Sequence, residues 1–158
     1  MTHCECLIRM LDNDGNFIPP ASFLDIANES GLMPRLDYLV IEKAMRQQVV
    51  WQRAGVNTRL SINITAPTLD QPDFAQRIAE IVNRTGADPR ALIFELVETD
   101  ALQDIDNARR LLKQLQTLGA SIALDDFGIG FTSFEYVREL PVDYIKIDKA
   151  FVQFVHER

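Results

Sequence analysis

The chain has 158 residues, of which 47% are hydrophobic and 25% are charged, and its formal net charge is −7. This length is enough to bury a sizeable core. No apolar run approaches the ~20 residues that a membrane helix needs, and no signal-peptide pattern opens the chain, so we expect a cytoplasmic protein. The acidic balance argues against binding to duplex nucleic acid, but it allows a small phosphorylated ligand to bind through a cation.

Short apolar runs alternate along the chain with amphipathic stretches. The apolar runs predict strands at Cys4–Met10, Thr58–Ile64, Ala91–Val97, Ser121–Asp125 and Asp143–Ile147. The amphipathic stretches predict helices at Ala21–Ser30, Asp37–Ala54, Phe74–Arg84, Asp104–Leu118 and Thr132–Glu139. Gly119 is placed to end the fourth of these helices. This regular alternation indicates an α/β fold with parallel strands and helical crossovers.

The two cysteines, Cys4 and Cys6, lie two residues apart in the first predicted strand. Their side chains therefore point the same way, and a disulfide between them would require the strand to bend. No other cysteine is present to complete a metal site. We expect two buried, reduced thiols.

Each predicted strand has one apolar face and a second face that carries polar side chains, mostly near the C-terminal end of the strand. Closing such strands into a barrel would bring the polar faces to the mouth, where barrel enzymes keep their chemistry. The residues gathered there would be Glu5, Arg9, Asn63, Glu95, Asp125 and Lys146. Any single one could be a charge that points into solvent from a one-sided sheet. The set is harder to explain in that way, because five successive strands repeat the arrangement and buried carboxylates need compensation, commonly by a divalent cation.

The motifs on these strands resemble those of the EAL phosphodiesterase family, named for a Glu-Ala-Leu sequence. That motif reads Glu5-Cys6-Leu7 here, so cysteine replaces the alanine. It is followed by SINIT, FELVET, DDFGIGFTSF and IKID, in the order and at the intervals of the family. The resemblance covers nearly the whole chain, and DDFGIG with IKID at this interval is highly specific. It implies an incomplete TIM-like (β/α) barrel with about five parallel strands and flanking helices.

Proteins of this family hydrolyse cyclic di-GMP to the linear dinucleotide with two Mg²⁺ or Mn²⁺ ions. By position in the motifs, the resemblance implies that Glu5, Asn63, Glu95 and Asp125 ligate the first metal ion. Asp125 would bridge to the second ion, with Asp126 as a further ligand, although Asp126 could instead be an N-cap. A set of oxygen ligands suits magnesium or manganese and disfavours zinc.

The resemblance also implies roles for residues that do not bind metal. Lys146 would orient the attacking water, and Asp148 would support that end of the site. Glu98 would steady the loop that follows the fourth strand. Arg9 would contact a ligand phosphate, and Leu7 would join it in binding the nucleotide. For Arg9, Glu98 and Asp148, a structural salt bridge is the alternative interpretation.

The sequence departs from the family pattern in several places. Ile129 stands where the loop usually has threonine or alanine, and Met10 stands where tryptophan is common. Compared with a barrel of ~250 residues, residues 1–158 would be a partial EAL domain without the first strand and the C-terminal part of the barrel. In the family, that C-terminal part holds a glutamate regarded as the catalytic base or a water ligand. We therefore expect weak activity, or none, from this chain alone.

Three functions stay open at this point. The chain could be a phosphodiesterase that is competent in its parent protein, a module that senses cyclic di-GMP without cleaving it, or a remnant without activity. The retained ligands favour the enzyme lineage, whereas the missing strands favour binding or no function. An open barrel also leaves unpaired strand edges, so we expect self-association as a homodimer. The family further allows GGDEF or sensory domains in the parent protein.

Overall fold

The computed structural model describes residues 2–128 and 137–152. Its centre is one sheet of five parallel strands, curled into a half-barrel. In their order across the sheet, the strands are β1 (Thr2–Cys6), β4 (Thr58–Ile64), β5 (Leu92–Val97), β6 (Ser121–Phe127) and β7 (Tyr144–Ile147). A small antiparallel hairpin follows β1 and consists of β2 (Met10–Leu11) and β3 (Phe17–Ile18). The predicted α/β class and incomplete TIM-like barrel are confirmed.

Helices connect the strands and pack in a layer on the sheet. They are α1 (Leu24–Glu29), α2 (Met33–Arg53), α3 (Ala66–Leu69), α4 (Phe74–Thr85), α5 (Glu98–Ala101), α6 (Ile105–Leu118) and a last short helix, Lys149–Val152, with 3₁₀ turns at Pro20–Ser22 and Pro89–Ala91. Helix α2 packs on β4 and against α4, α4 packs against α6, and α6 lies on β6. Among the described residues, no helix combines the length and the apolar character needed to cross a membrane.

The core lies between the sheet and this helical layer. The alternating apolar residues of β4, β5 and β6 meet one face each of α2, α4 and α6 there. The largest of these fully buried side chains are Phe74, Phe94, Ile41, Met45, Leu60, Ile62, Ile78, Leu92, Leu96, Leu111, Leu112 and Leu115. Because successive side chains on a strand point to opposite faces, burying this set turns the intervening polar residues to the other face of the sheet. A register slip of one residue would expose the core, so the same packing also fixes the direction of the polar side chains.

The first predicted strand, Cys4–Met10, is wrong in its second half. Strand β1 ends at Cys6, which is also the last residue that pairs with β4. The chain then folds back into the hairpin, because the turn-forming stretch at 12–16 brings β3 alongside β2. Leu7 and Arg9 therefore lie in the connection after the strand and not on its polar face.

The helix boundaries show smaller differences. Helix α2 begins at Met33, a turn earlier than the predicted Asp37, because Pro34 is suited to the first turn of a helix. The region predicted as Ala21–Ser30 starts as a 3₁₀ turn and becomes α-helical only from Leu24. Gly119 ends α6 as predicted, in a left-handed conformation with φ of 106°. The predicted helix Thr132–Glu139 lies largely outside the described residues.

Two phenylalanines test where the core lies. Phe74 is 0% exposed under the helical layer, whereas Phe17 in the hairpin is 51% exposed. Phe74→Ala leaves a cavity, so we expect the free energy of unfolding to fall by about 3–5 kcal/mol. Phe17→Ala should lower it by less than about 1 kcal/mol. Urea denaturation measures both changes, and equal losses would contradict this assignment of the core.

Candidate metal centre

Three carboxylates from different strands meet near the C-terminal end of the sheet. Glu5 lies on β1, Glu95 on β5 and Asp125 on β6, and one oxygen atom of each lies within 4.8 Å of the others. Parallel strands end at the same edge, and side-chain alternation turns the three residues toward the same space. Glu95 is only 2% exposed. The polar faces of the strands therefore converge, as the sequence predicts.

Lys146 on β7 gives this cluster a positive charge. Its Nζ donates to Glu95 Oε2 at 2.9 Å and to Asp125 Oδ2 at 2.8 Å, and it lies 3.9 Å from Glu5 Oε2. Burial disfavours the ammonium group, but the hydrogen bonds to Asp125 and Glu95 outweigh this effect and raise the pKa of Lys146 above its ordinary value. The lysine therefore stays charged at neutral pH. One ammonium does not neutralise three carboxylates, so the cluster keeps an excess of negative charge.

Asn63 on β4 completes the group of polar side chains. Its backbone pairs with that of Glu95, and its side-chain Nδ2 donates to Glu5 Oε1 at 3.2 Å. An amide group therefore lies beside the carboxylates. Carboxylate and amide oxygens are the ligands that hard divalent cations prefer, so this cluster could bind such a metal ion.

Gly128, the residue directly after β6, contacts a buried carboxylate and an aromatic ring. Glu98 is 1% exposed, and its Oε2 accepts a hydrogen bond from the backbone N–H of Gly128 at 2.9 Å. Gly128 is left-handed, with φ of 102°, and the ring of Phe151 lies against it. Glu98 thus contacts the residue that follows β6, and its role in steadying the loop stays a prediction. The substituted Ile129 lies outside the described residues.

Asp126 and Asp148 lie at the edge of the site, and each takes part in a hydrogen bond that involves a backbone N–H group. Asp126 has a φ of 54°, an uncommon conformation for an aspartate, and its N–H donates to Asp125 Oδ1 at 2.9 Å. Its carboxylate is not part of the group whose oxygens lie within 4.8 Å. Asp148 Oδ1 accepts a hydrogen bond from Ala150 N–H at 2.7 Å, which fixes the start of the last helix.

Leu7 and Arg9 lie at the side of the cluster, where they line a cavity of about 250 Å³ together with Asn63. The Arg9 guanidinium donates to the Ile8 carbonyl at 2.8 Å and lies 5.7 Å from the centre of the Phe17 ring. Within the described residues, no salt bridge involves Arg9, and the same holds for Glu98 and Asp148. The alternative of a structural salt bridge therefore finds no support there.

Cys4 and Cys6 form no disulfide, but both are only partly buried, so the prediction of two buried thiols is wrong on burial. Burial, followed by the nearby Cys4, Glu5 and Glu95, raises the pKa of the Cys6 thiol to about 11. A raised pKa keeps the thiol protonated, which makes Cys6 a poor nucleophile at neutral pH.

Asp37 and Asp100 have no role that the sequence predicts. Both carboxylates accept hydrogen bonds from the residues that follow β4, close to Asn63. Asp37 was predicted only as the first residue of a helix. A local sequence pattern does not reveal such contacts, because Asp37 lies 28 positions from Thr65 and Asp100 lies 34 positions from Ala66.

The comparisons with known proteins agree with this geometry. The family model described as the EAL domain matches residues 1–158. The chain is 38% identical over 149 residues to the cyclic di-GMP phosphodiesterase PdeB of Shewanella oneidensis, covering 94% of this chain and 17% of that protein. It is similar to the solved PaMucR phosphodiesterase in complex with c-di-GMP, with a TM-score of 0.90 and 29% identity over 100% of this chain and 64% of the other. For the FimX EAL domain from Pseudomonas aeruginosa bound to c-di-GMP, the TM-score is 0.88 with 30% identity, and the match covers 98% of this chain and 62% of the other.

This chain belongs to the EAL domain family. The resemblance read from the motifs is therefore confirmed. The chain spans 19% and 17% of the lengths of the first two curated relatives, and just under two thirds of the two solved chains.

Two glycines test the packing of Phe151 against Gly128. A Cβ atom added at Gly128 would lie 2.9 Å from the Phe151 ring, whereas one added at Gly55, also left-handed, would meet nothing within 4 Å. Gly55→Ala should cost about 1 kcal/mol of unfolding free energy for its backbone conformation alone. Gly128→Ala should cost about 2–3 kcal/mol, because a steric clash adds to the same strain. Thermal unfolding of both variants measures the two losses of unfolding free energy, and equal losses would contradict the contact between Gly128 and Phe151.

Proposed function

We propose that this chain is a phosphodiesterase module that hydrolyses cyclic di-GMP to the linear dinucleotide. The observation that carries the proposal is the convergence of three carboxylates, an amide and a lysine at one end of the sheet in a member of the EAL family. Two curated relatives, from Shewanella oneidensis and Escherichia coli, are named cyclic di-GMP phosphodiesterases, which supports this substrate.

The oxygen ligands fit two hard divalent cations, Mg²⁺ or Mn²⁺. We infer that Glu5, Asn63, Glu95 and Asp125 would hold the first ion and that Asp125 and Asp126 would hold the second. When bound, such a pair lowers the pKa of water and stabilises the attacking and departing oxygens of an in-line displacement. The chain contributes by holding its carboxylates together on neighbouring strands before any ion arrives.

Lys146, Glu98 and Asp148 have supporting roles in this proposal. Lys146 keeps its charge and is anchored by Glu95 and Asp125, so its remaining N–H can orient a water molecule or a phosphate oxygen. Glu98 accepts a hydrogen bond from the backbone N–H of Gly128, which lies shortly after Asp125 and Asp126 in the chain. Asp148 supports the site from the end of β7 by fixing the start of the last helix.

We infer that the nucleotide lies over the cavity beside Asn63, where Leu7 offers an apolar contact and Arg9 offers charge. No carboxylate within the described part of the chain pairs with Arg9. A guanidinium free of ion pairs can bind a phosphate through parallel hydrogen bonds.

A module that binds cyclic di-GMP without cleaving it is the second candidate. It is favoured by Lys146, which already bonds to two of the three carboxylates that would hold a metal ion. If the ammonium keeps those oxygens, the cavity beside Arg9 could still hold the nucleotide while hydrolysis does not occur.

Chromatography of cyclic di-GMP after incubation with Mn²⁺ separates the two candidates. We expect slow formation of linear product by the native chain and by Glu29→Ala, which changes an exposed glutamate on α1. Glu5→Ala should lower the rate at least ~100-fold, because losing a residue that merely supports a metal ligand already costs up to about 100-fold in metal affinity.

If no linear product forms, calorimetric titration of the chain with cyclic di-GMP in the presence of Mn²⁺ shows whether the nucleotide still binds. Bound nucleotide without product would favour the binding module over the enzyme. A chain that neither binds nor cleaves cyclic di-GMP would overturn both candidates.

The proposed setting is the cytoplasm, where this chain would act beside GGDEF or sensory domains of its parent protein. The first curated relatives support the presence of further domains, because the chain spans only 19% and 17% of their lengths.

We also propose that the chain forms a homodimer through β7. Ile145 and Ile147 on this edge strand are 43% and 60% exposed, and Phe151 in the last helix is 56% exposed. Exposed apolar edge strands tend to pair with another chain.

Light scattering at micromolar concentration should therefore give the mass of a dimer, and Ile147→Lys should shift it to the mass of a monomer. Val50→Lys, at an exposed residue of α2, is the matched control and should leave the dimer intact. A monodisperse monomer of the native chain would contradict the proposal.

A further inference from the structure

A buried carboxylate holds the segment where the chain leaves β4. Asp37, in the second turn of α2, is 8% exposed. Its Oδ2 accepts hydrogen bonds from Thr65 N–H at 2.9 Å, from Thr65 Oγ1 at 2.7 Å and from Thr68 Oγ1 at 2.5 Å. Hydrogen bonds to an ionised acceptor are about twice as strong as neutral ones. A single oxygen atom thus ties α2 to both ends of the turn that begins α3.

Asp100 on α5 holds the next residue of the same turn. Its Oδ2 accepts a hydrogen bond from Ala66 N–H at 3.3 Å. Thr65 is the N-cap residue of α3, but its hydroxyl makes no cap hydrogen bond and donates to Asp37 instead. The N–H groups at the start of α3 are therefore satisfied by side chains from two other helices. The position of this turn is set by tertiary contacts rather than by local capping.

The turn held in this way carries one of the proposed metal ligands. Asn63 lies two residues before Thr65, near the end of β4, and donates to Glu5 Oε1 at 3.2 Å. Asp37, Thr65 and Asn63 also line the same cavity of about 250 Å³. Only one residue separates Asn63 from Thr65, so a shift of the backbone at Thr65 moves the amide that faces Glu5.

An apolar residue could fill the place of Asp37 without the cost of burying a charge. What the carboxylate adds is direction, because it fixes the Thr65 N–H and two hydroxyl groups in one geometry. Residues that orient a ligand from behind in this way commonly determine metal affinity.

We propose that Asp37 is a positioning residue for the metal centre, which fixes the end of β4 through Thr65 and Thr68 so that Asn63 lies beside Glu5. The inference rests on the proposed function in one respect, the role of Asn63 as a metal ligand. Asp37 acts through Asn63 and does not itself bind the ion.

Calorimetric titration with Mn²⁺ tests the proposal on the folded chain. Thr68→Val removes one donor at nearly constant shape, and Asp37→Asn removes the charge. Each should raise the dissociation constant for Mn²⁺ by about 10-fold. Thr58→Val is the matched control, because Thr58 is also buried but lies at the opposite end of β4, and it should change the constant by less than about twofold.

The same titrations in an Asn63→Ala background separate positioning from general stability. If Asp37 acts through Asn63, Thr68→Val and Asp37→Asn should there change the dissociation constant by less than about twofold. Equal losses in both backgrounds would overturn the proposal. So would unchanged Mn²⁺ affinity in a folded Thr68→Val chain.

A measurement without metal distinguishes failure of this inference from failure of the proposed function. In nitrogen-15 NMR spectra of the metal-free chain, the side-chain amide signals of Asn63 should shift in Thr68→Val and stay in place in Thr58→Val. If the native chain binds no Mn²⁺, the proposed function fails, but these signals still decide whether Asp37 positions Asn63. If the chemical shifts of the Asn63 side-chain amide do not change in Thr68→Val, the inference is overturned even if Mn²⁺ binds. The isosteric valine also keeps the test valid if Asp37→Asn does not fold.

Discussion

The structure depends on how it compensates negative charge at one end of its sheet. Three carboxylates have oxygens within 4.8 Å of one another, and one of them, Glu95, is almost completely buried. Like charges this close repel strongly wherever water is scarce. Lys146 offsets part of this repulsion through hydrogen bonds to Glu95 and Asp125. These contacts join the side chains of β5, β6 and β7 at the end of the sheet that carries the site.

Most acidic residues around the mouth fall into two groups that differ in their partners, and Asp125 combines both kinds, because its Oδ1 accepts from the Asp126 N–H and its Oδ2 from Lys146. Asp37, Asp100 and Glu98 accept hydrogen bonds from backbone N–H groups that follow the strands. Backbone donors stabilise a carboxylate without any cation, so these residues are suited to fixing the chain. Glu5 and Glu95 instead accept from the side chains of Asn63 and Lys146. Their remaining lone pairs are not committed to the backbone, and this difference marks them as the residues suited to bind an ion.

Most of the fold could be predicted from the alternation of apolar and polar residues in the sequence. The period of two in β4 and β5 was enough to place Asn63 and Glu95 on the same side, because burial of the opposite face fixes the register. The prediction was wrong after Cys6, where the apolar pattern continues but the pairing with β4 ends. Pairing partners are not visible in a local pattern. For the same reason the contact between Asp37 and Thr65 was out of reach, since it joins residues 28 positions apart and Asp37 lies outside the motifs.

Lys146 and a divalent cation draw on the same carboxylates, yet the geometry does not force one to exclude the other. Lys146 uses Oε2 of Glu95 and Oδ2 of Asp125. Each ionised carboxylate has about four lone-pair sites, so the other oxygen of Glu95 and further sites on Glu5 stay open to an ion. An ammonium held beside an ion in this way would lie next to the water and phosphate oxygens that the ion attracts. In the proposed function, the contacts that offset part of the negative charge without metal would also orient the reacting groups once an ion is present.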